Sequence, residues 1–187
     1  MCGRGHLGAV RRGAQAVKRL YLIGGTMGVG KTTVCRLLKE RLDASVFLDA
    51  DNLWDMHPFV VNAETKAVVM DNIHFVLNRF LDCSLYQNLI FCWVMHEPSI
   101  LNAVVQGLDL NDCTLIPVFL VCTPQALAER LQGDIEAGIR QPDVLPRSLE
   151  RLALYNALPG WRLDVSCKTP EEVCAEIICL GRETLEK

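Results

Sequence analysis

Residues 24–33, Gly24-Gly25-Thr26-Met27-Gly28-Val29-Gly30-Lys31-Thr32-Thr33, decide how the rest of the chain is read. From Gly25 to Thr32 they satisfy G-x-x-x-x-G-K-[ST], the spacing of a phosphate-cradling P-loop. The run before them, Leu20-Tyr21-Leu22-Ile23, is short and apolar and ends on glycine, the pattern of a buried strand. The run after them, Thr32 to Leu42, places Val34, Leu37, Leu38 and Leu42 at helical spacing. Strand, glycine loop and helix is the context that gives the spacing its chemical meaning.

That chemistry explains the residue types. Gly25, Gly28 and Gly30 let the backbone turn tightly and aim its N–H groups inward. The cradle extends over Gly25 to Thr33, so Thr26, Met27, Val29 and Thr33 belong to it through their backbone. The N-terminus of the following helix adds its positive end. Lys31 is placed to reach β- and γ-phosphates, and the Thr32 hydroxyl to hold Mg²⁺. The competing reading is a glycine turn followed by a surface lysine.

Working outward, a length of 187 residues suits one domain, and half of those residues are hydrophobic, enough for a substantial core. No apolar stretch reaches the roughly 18 residues of a membrane span. The nine cysteines are odd in number and show no C-x-x-C, which favours reduced thiols in a cytoplasmic protein over disulfides or zinc. Arg4, Arg11, Arg12, Lys18 and Arg19 fall in the first nineteen residues, which contain no acid. The remainder is therefore acidic and argues against broad nucleic-acid binding. Residues 1–19 lack the apolar core of a secretory signal and read as a disordered basic leader, with one domain over 20–187.

The strands and helices alternate. Ser45 to Asp51 reads as a second strand ending in two acids, and Glu64 to Cys83 as a long amphipathic helix. Asn88 to Met95 is a continuous apolar strand, followed by His96-Glu97 and a helix opened by Pro98. Thr114 to Cys122 is a fourth strand, irregular at Pro117. Thr123-Pro124 then opens a helix to about Glu136. Gly138 to Pro146 is polar and is the candidate lid, with Arg147 to Asn156 helical after it. Trp161 to Cys167 is a fifth strand, and Thr169-Pro170-Glu171-Glu172 caps a last helix through Ile178. Alternation of this kind implies a parallel sheet with helices on both faces. Ligands on such sheets bind beyond the carboxyl ends of the strands.

Phosphoryl transfer needs an acid near the γ-phosphate and cations to neutralise migrating charge. Asp49 and Asp51 are the best-placed acids, one for the metal's water shell and one as the base; Asp49 is assigned to the metal with Thr32, and Asp51 to the base. Glu97 is a weaker metal candidate. Arg130, Arg140, Arg147 and Arg151 surround the lid, and Arg79 is a candidate for a substrate anion. Trp54 and Phe59 form either a stacking surface for a planar substrate or a piece of core. His57 and His96 are either functional residues or polar loop residues.

The segments GGTMGVGKTT, LDAD, ERLQGDIEAGIRQ and VSCKTPEEVCAEI together resemble the small P-loop kinases. That group contains nucleoside-monophosphate, shikimate and gluconate kinases and chloramphenicol phosphotransferase. The resemblance implies an α/β three-layer sandwich with a five-stranded parallel sheet in 2-3-1-4-5 order and a short lid. It implies ATP and Mg²⁺ as cofactors and a small-molecule acceptor. It also places a catalytic acid at Asp51, lid arginines at Arg130 and Arg140, and the adenine against the Cys167–Thr169 loop, which includes Lys168. The chain departs from the group in two ways. No arginine-rich grip follows the second strand, which favours a hydroxyl on a weakly anionic acceptor over a nucleotide. Asp134 stands where several relatives carry a second lid arginine. The alternative class is a nucleotide-dependent switch or binding module. The N-K-x-D and D-x-x-G of GTPases and the LSGGQ of transport ATPases do not occur.

Overall fold

The computed structural model describes residues 17–184. Its centre is a parallel five-stranded sheet in the order β2-β3-β1-β4-β5, formed by β1 (Lys18–Gly24), β2 (Ser45–Asp49), β3 (Asn88–Cys92), β4 (Cys113–Val121) and β5 (Trp161–Asp164). Six α-helices cover it: α1 (Lys31–Arg41), α2 (Ala63–Asp82), α3 (Pro98–Gln106), α4 (Pro124–Glu136), α5 (Val144–Leu152) and α6 (Pro170–Glu183).

The period-2 alternation of β1 divides the core. Tyr21 and Ile23 pack with Val34, Leu38, Leu127 and Ile177, which come from α1, α4 and α6. Leu20 and Leu22 pack with Val69, Ile73, Leu77, Leu101 and Val104, from α2 and α3. Each of these side chains is within 5 % of complete burial and contributes about 1.5–3 kcal/mol relative to exposure. The sheet thus carries helices on both faces, as the apolar runs Leu20–Ile23 of β1 and Leu89–Cys92 of β3 require.

Several boundaries differ from the sequence reading, each for a local reason. The first strand begins at Lys18, so the expected leader of residues 1–19 ends too late; its first sixteen residues lie outside the described part. The Lys18 ammonium donates to the carbonyls of Phe80, Leu81 and Cys83 and so closes the C-terminal end of α2. β2 stops at Asp49 instead of Asp51, because Asp49 Oδ1 accepts the Asp51 N–H at 3.1 Å and starts a 3₁₀ turn over Ala50–Trp54. β3 stops at Cys92, where its partner β1 runs into the glycine loop. β5 ends in an Asx turn at Asp164, whose Oδ1 accepts the Ser166 N–H at 2.8 Å. The expected lid shortens to residues 137–143, since α5 starts at Val144; Pro146 fits there because a first-turn N–H has no helical partner to lose. Within α6 the Thr169–Glu172 capping box forms as expected, and the helix continues past Ile178 to Glu183.

Candidate active site

β1 delivers the glycine loop and α1 opens immediately behind it. Gly25, Gly28 and Gly30 have φ of 150°, 81° and 102°. At Gly28 a Cβ would also stand 2.5 Å from Leu131 Cδ2, so α4 packs directly on the loop and only glycine fits. Gly30 is the left-handed N-cap of α1, and no acid occupies the helix's first turn. The positive end of α1 is therefore free to meet an anion.

Lys31 and Thr32 are held by short-range contacts. Lys31 is buried, and its Nζ donates to the Thr26 carbonyl at 3.0 Å. Burial lowers its pKa; the nearby Asp51 and Asp49 charges oppose the shift. A desolvated ammonium of this kind gains from a phosphate partner, which restores the charged form. The Thr32 hydroxyl donates to Asp49 Oδ2 at 2.8 Å. A hydroxyl with a carboxylate directly behind it is an oxygen donor set of the type Mg²⁺ takes, with room left for waters and phosphate oxygens. The residues present fit magnesium-bound ATP: Thr32, with Asp49 behind it, would hold the metal, and Lys31 with the loop N–H groups would hold the phosphates.

The 3₁₀ turn after Asp49 carries Asp51 to the rim of an adjoining cavity. Asp51 therefore does not continue the strand beside Asp49, as an extended reading would have it. The pKa of Asp51 is raised by partial burial and by the Asp49 charge, while Lys31 and Arg140 pull it back. Arg140, in the lid, bonds through Nε to Asp134 Oδ2 at 2.8 Å, so Asp134 steadies the lid cation. Arg130 lies next to the glycine loop. Its guanidinium donates to the Val29 carbonyl at 3.4 Å, to Val165 at 2.6 Å and to Ser166 at 3.2 Å. It joins the P-loop to the β5–α6 loop and spends its donors on carbonyls. Lys168 pairs with Glu176 at 2.7 Å.

The cavity beside Asp51 has a volume of about 1200 Å³. One wall is Met27 of the P-loop; the others come from the turn around Trp54, the 93–100 segment, α2 and α5. His96 lines it and pairs with Glu97 at 3.4 Å. Burial and Arg151 lower the pKa of His96, while Glu97 opposes the shift. Three lining residues were not singled out by sequence reasoning for this role: Trp93, Lys66 and, as a pocket cation, Arg151. The helical spacing of Lys66 and Arg151 makes them resemble solvated surface positions, and Trp93 reads as strand. Arg79, a sequence candidate for a substrate anion, is exposed near the end of α2, pairs with Asp82 at 3.4 Å and does not line the cavity. His57 is exposed and does not line it either.

Comparison with known proteins agrees with this fold. The fold is shared with a gluconokinase from Sinorhizobium meliloti 1021, at 18 % identity and a TM-score of 0.67, covering 92 % of this chain and 96 % of that one. A tunicamycin resistance protein from Deinococcus radiodurans matches at 18 % identity and a TM-score of 0.62, over 87 % of this chain and 94 % of that one. A shikimate kinase from Acinetobacter baumannii, solved with shikimate, matches at 20 % identity and a TM-score of 0.62, over 92 % and 97 %. No curated protein sequence matches the chain. The family model described as "AAA domain" covers residues 22–144, so the P-loop, Thr32, Asp49, Asp51 and the lid up to Val144 lie within a chain that belongs to the AAA domain family and has the fold of the small P-loop kinases.

Proposed function

We propose that the protein is an ATP-dependent phosphotransferase that moves the γ-phosphoryl group of ATP to a hydroxyl of a small molecule. The observation that carries this reading is the shared wall: Met27 of the P-loop and Asp51 both line the cavity next to the Lys31–Thr32–Asp49 cluster. A donor phosphate on the loop and an acceptor in the cavity would therefore be neighbours, which is the positioning such catalysis depends on.

The residues divide the work. The loop N–H groups and Lys31 bind and orient the phosphates. Magnesium, when held by Thr32 with Asp49 behind it, neutralises phosphate charge. Asp51 accepts the proton of the acceptor hydroxyl; its raised pKa brings it closer to the operating pH, as suits a base. The acceptor oxygen forms the new bond to the γ-phosphorus while the bond from that phosphorus to the β,γ-bridging oxygen breaks, and the electron pair leaves on ADP. Arg140, whose charge acts on Asp51, is the lid cation available for the transferred charge. Closure of the 137–143 segment would exclude water from the crevice.

The test is ADP release from magnesium-ATP across a metabolite panel, with and without each candidate acceptor. Acceptor-dependent release supports the reading. Tight nucleotide binding with no acceptor-dependent release from any member would instead favour a binding module.

A further inference from the structure

The composition of the acceptor cavity narrows the substrate class. Trp54, Trp93 and Phe59 line it together with Met70 and Ile100. Trp54 and Phe59 form a continuous aromatic wall, their ring centroids 6.4 Å apart and tilted by 55°. Phe59 is 68 % exposed, a large apolar surface left facing the cavity mouth. Polar groups line the cavity too: Asp51, Asn52 and Asp55 flank Trp54 along its turn, and Lys66, Glu97 and Ser99 belong to the other walls. Asp51 belongs to the turn next to the P-loop, and His96 and Arg151, whose charge acts on His96, line the same cavity.

Such a site suits an amphipathic ligand, whose flat apolar part takes the aromatic wall while its polar part meets the polar lining. A sugar acid carries a hydroxyl on nearly every carbon, and each one buried against tryptophan or methionine would lose its water without gaining a partner. A planar ring loses nothing against that wall and gains stacking contact. Resting on the phosphotransferase reading above, we propose that the acceptor has a flat aromatic or heteroaromatic body bearing a hydroxyl on a short arm. The body packs on Trp54 and Phe59, and the arm reaches Asp51 at the P-loop end.

Ligand-observed saturation-transfer NMR tests this on the full chain saturated with Mg²⁺ and a non-hydrolysable ATP analogue. The probes are a set of hydroxymethyl-substituted benzenes, pyridines and pyrimidine nucleosides, against a size-matched set of polyols and sugar acids including gluconate and shikimate. Transfer to the aromatic set is expected, with affinity reduced about 10–100-fold in Trp54→Ala. The exposed Phe59→Ser variant, which costs no core packing, should reduce it in the same direction. Trp161→Ala should leave it unchanged, because Trp161 lies on β5 outside the cavity. Absence of transfer from every aromatic probe overturns the inference, as does aromatic binding that ignores both Trp54→Ala and Phe59→Ser. ADP release separates this inference from the reading beneath it. Turnover of gluconate or another sugar acid would keep the phosphotransferase and discard the aromatic acceptor. Trp54-dependent aromatic binding without ADP release from any bound probe would keep the pocket chemistry and discard the phosphotransferase.

Discussion

The P-loop and the cavity beside it share Met27 as a wall, yet they are built differently. At the P-loop, Lys31 bonds to Thr26, Thr32 to Asp49, and Arg130 to carbonyls on two loops. Leu131 leaves no room for a side chain at Gly28. In the cavity, Phe59 stands exposed, and among the described residues neither Lys66 nor Arg151 forms an ion pair. One half is organised before its ligand arrives; the other leaves Lys66 and Arg151 outside any ion pair among the described residues. A phosphate is the same in every substrate, so a fixed cradle for it loses nothing. An acceptor must be recognised by shape, and its contacts wait in a looser set of segments.

The sharpest way to break that division is Asp51→Asn, which preserves shape and removes the proposed base. With an acceptor in hand, turnover should fall on the order of 10²–10⁴-fold while nucleotide affinity hardly moves. Near-normal turnover would pass the base role to Asp49 or Glu97, or show that none is needed. Asp49→Asn should act on the other half. By unseating the group behind Thr32 it should raise the Mg²⁺ concentration needed for half-maximal nucleotide binding by about 10–100-fold. A change in acceptor affinity with an unaltered Mg²⁺ titration would contradict the assignment.

Smaller effects concern the frame that holds the two halves in register. Lys18→Ala removes the ammonium from the last carbonyls of α2 and should cost about 1–2 kcal/mol in denaturant unfolding. A deletion of residues 1–19 should lose at least as much, because it takes Lys18 with it. The smallest expected effect is a pH dependence. The folded state raises the pKa of Asp51 above 3.8, so it binds that proton more tightly than the unfolded chain does. Stability from this group is present at low pH and is lost as pH rises through the raised value. Asp51→Asn should therefore melt at a higher temperature than the natural sequence at pH 7, the gap narrowing as pH falls toward 3.8. A gap that is constant with pH would show that the change is one of packing.

The two halves also differ in how much of them could be read from sequence. The P-loop occupies one contiguous stretch whose glycine spacing and flanks specify backbone and helix together, and the loop and α1 stand where expected. The succession of strands and helices followed from apolar runs, helical spacing and caps, as in Leu20–Ile23, Leu89–Cys92 and Thr169–Glu172. Asp51 was legible as an acid but not in its placement. The Asp49 side chain captures the Asp51 N–H and ends the strand early, a contact that competes with strand propensity over two residues. Lys18 looked like part of a basic leader because nothing local marks a lysine whose carbonyl partners lie more than sixty residues away. Arg151 and Trp93 come together only through α5 and the end of β3, so no spacing in the chain announces them.

The claim beneath all of this is that the Gly25–Thr32 loop binds the phosphates of magnesium-ATP through Lys31. Isothermal titration calorimetry of magnesium-ATP into the natural sequence and into Lys31→Ala measures it without knowledge of the acceptor. The account predicts one site in the natural sequence and affinity weakened by about 10–100-fold in the variant, the worth of charge-assisted hydrogen bonds. Equal affinity in the two proteins, or no heat of binding in the natural sequence, would contradict it.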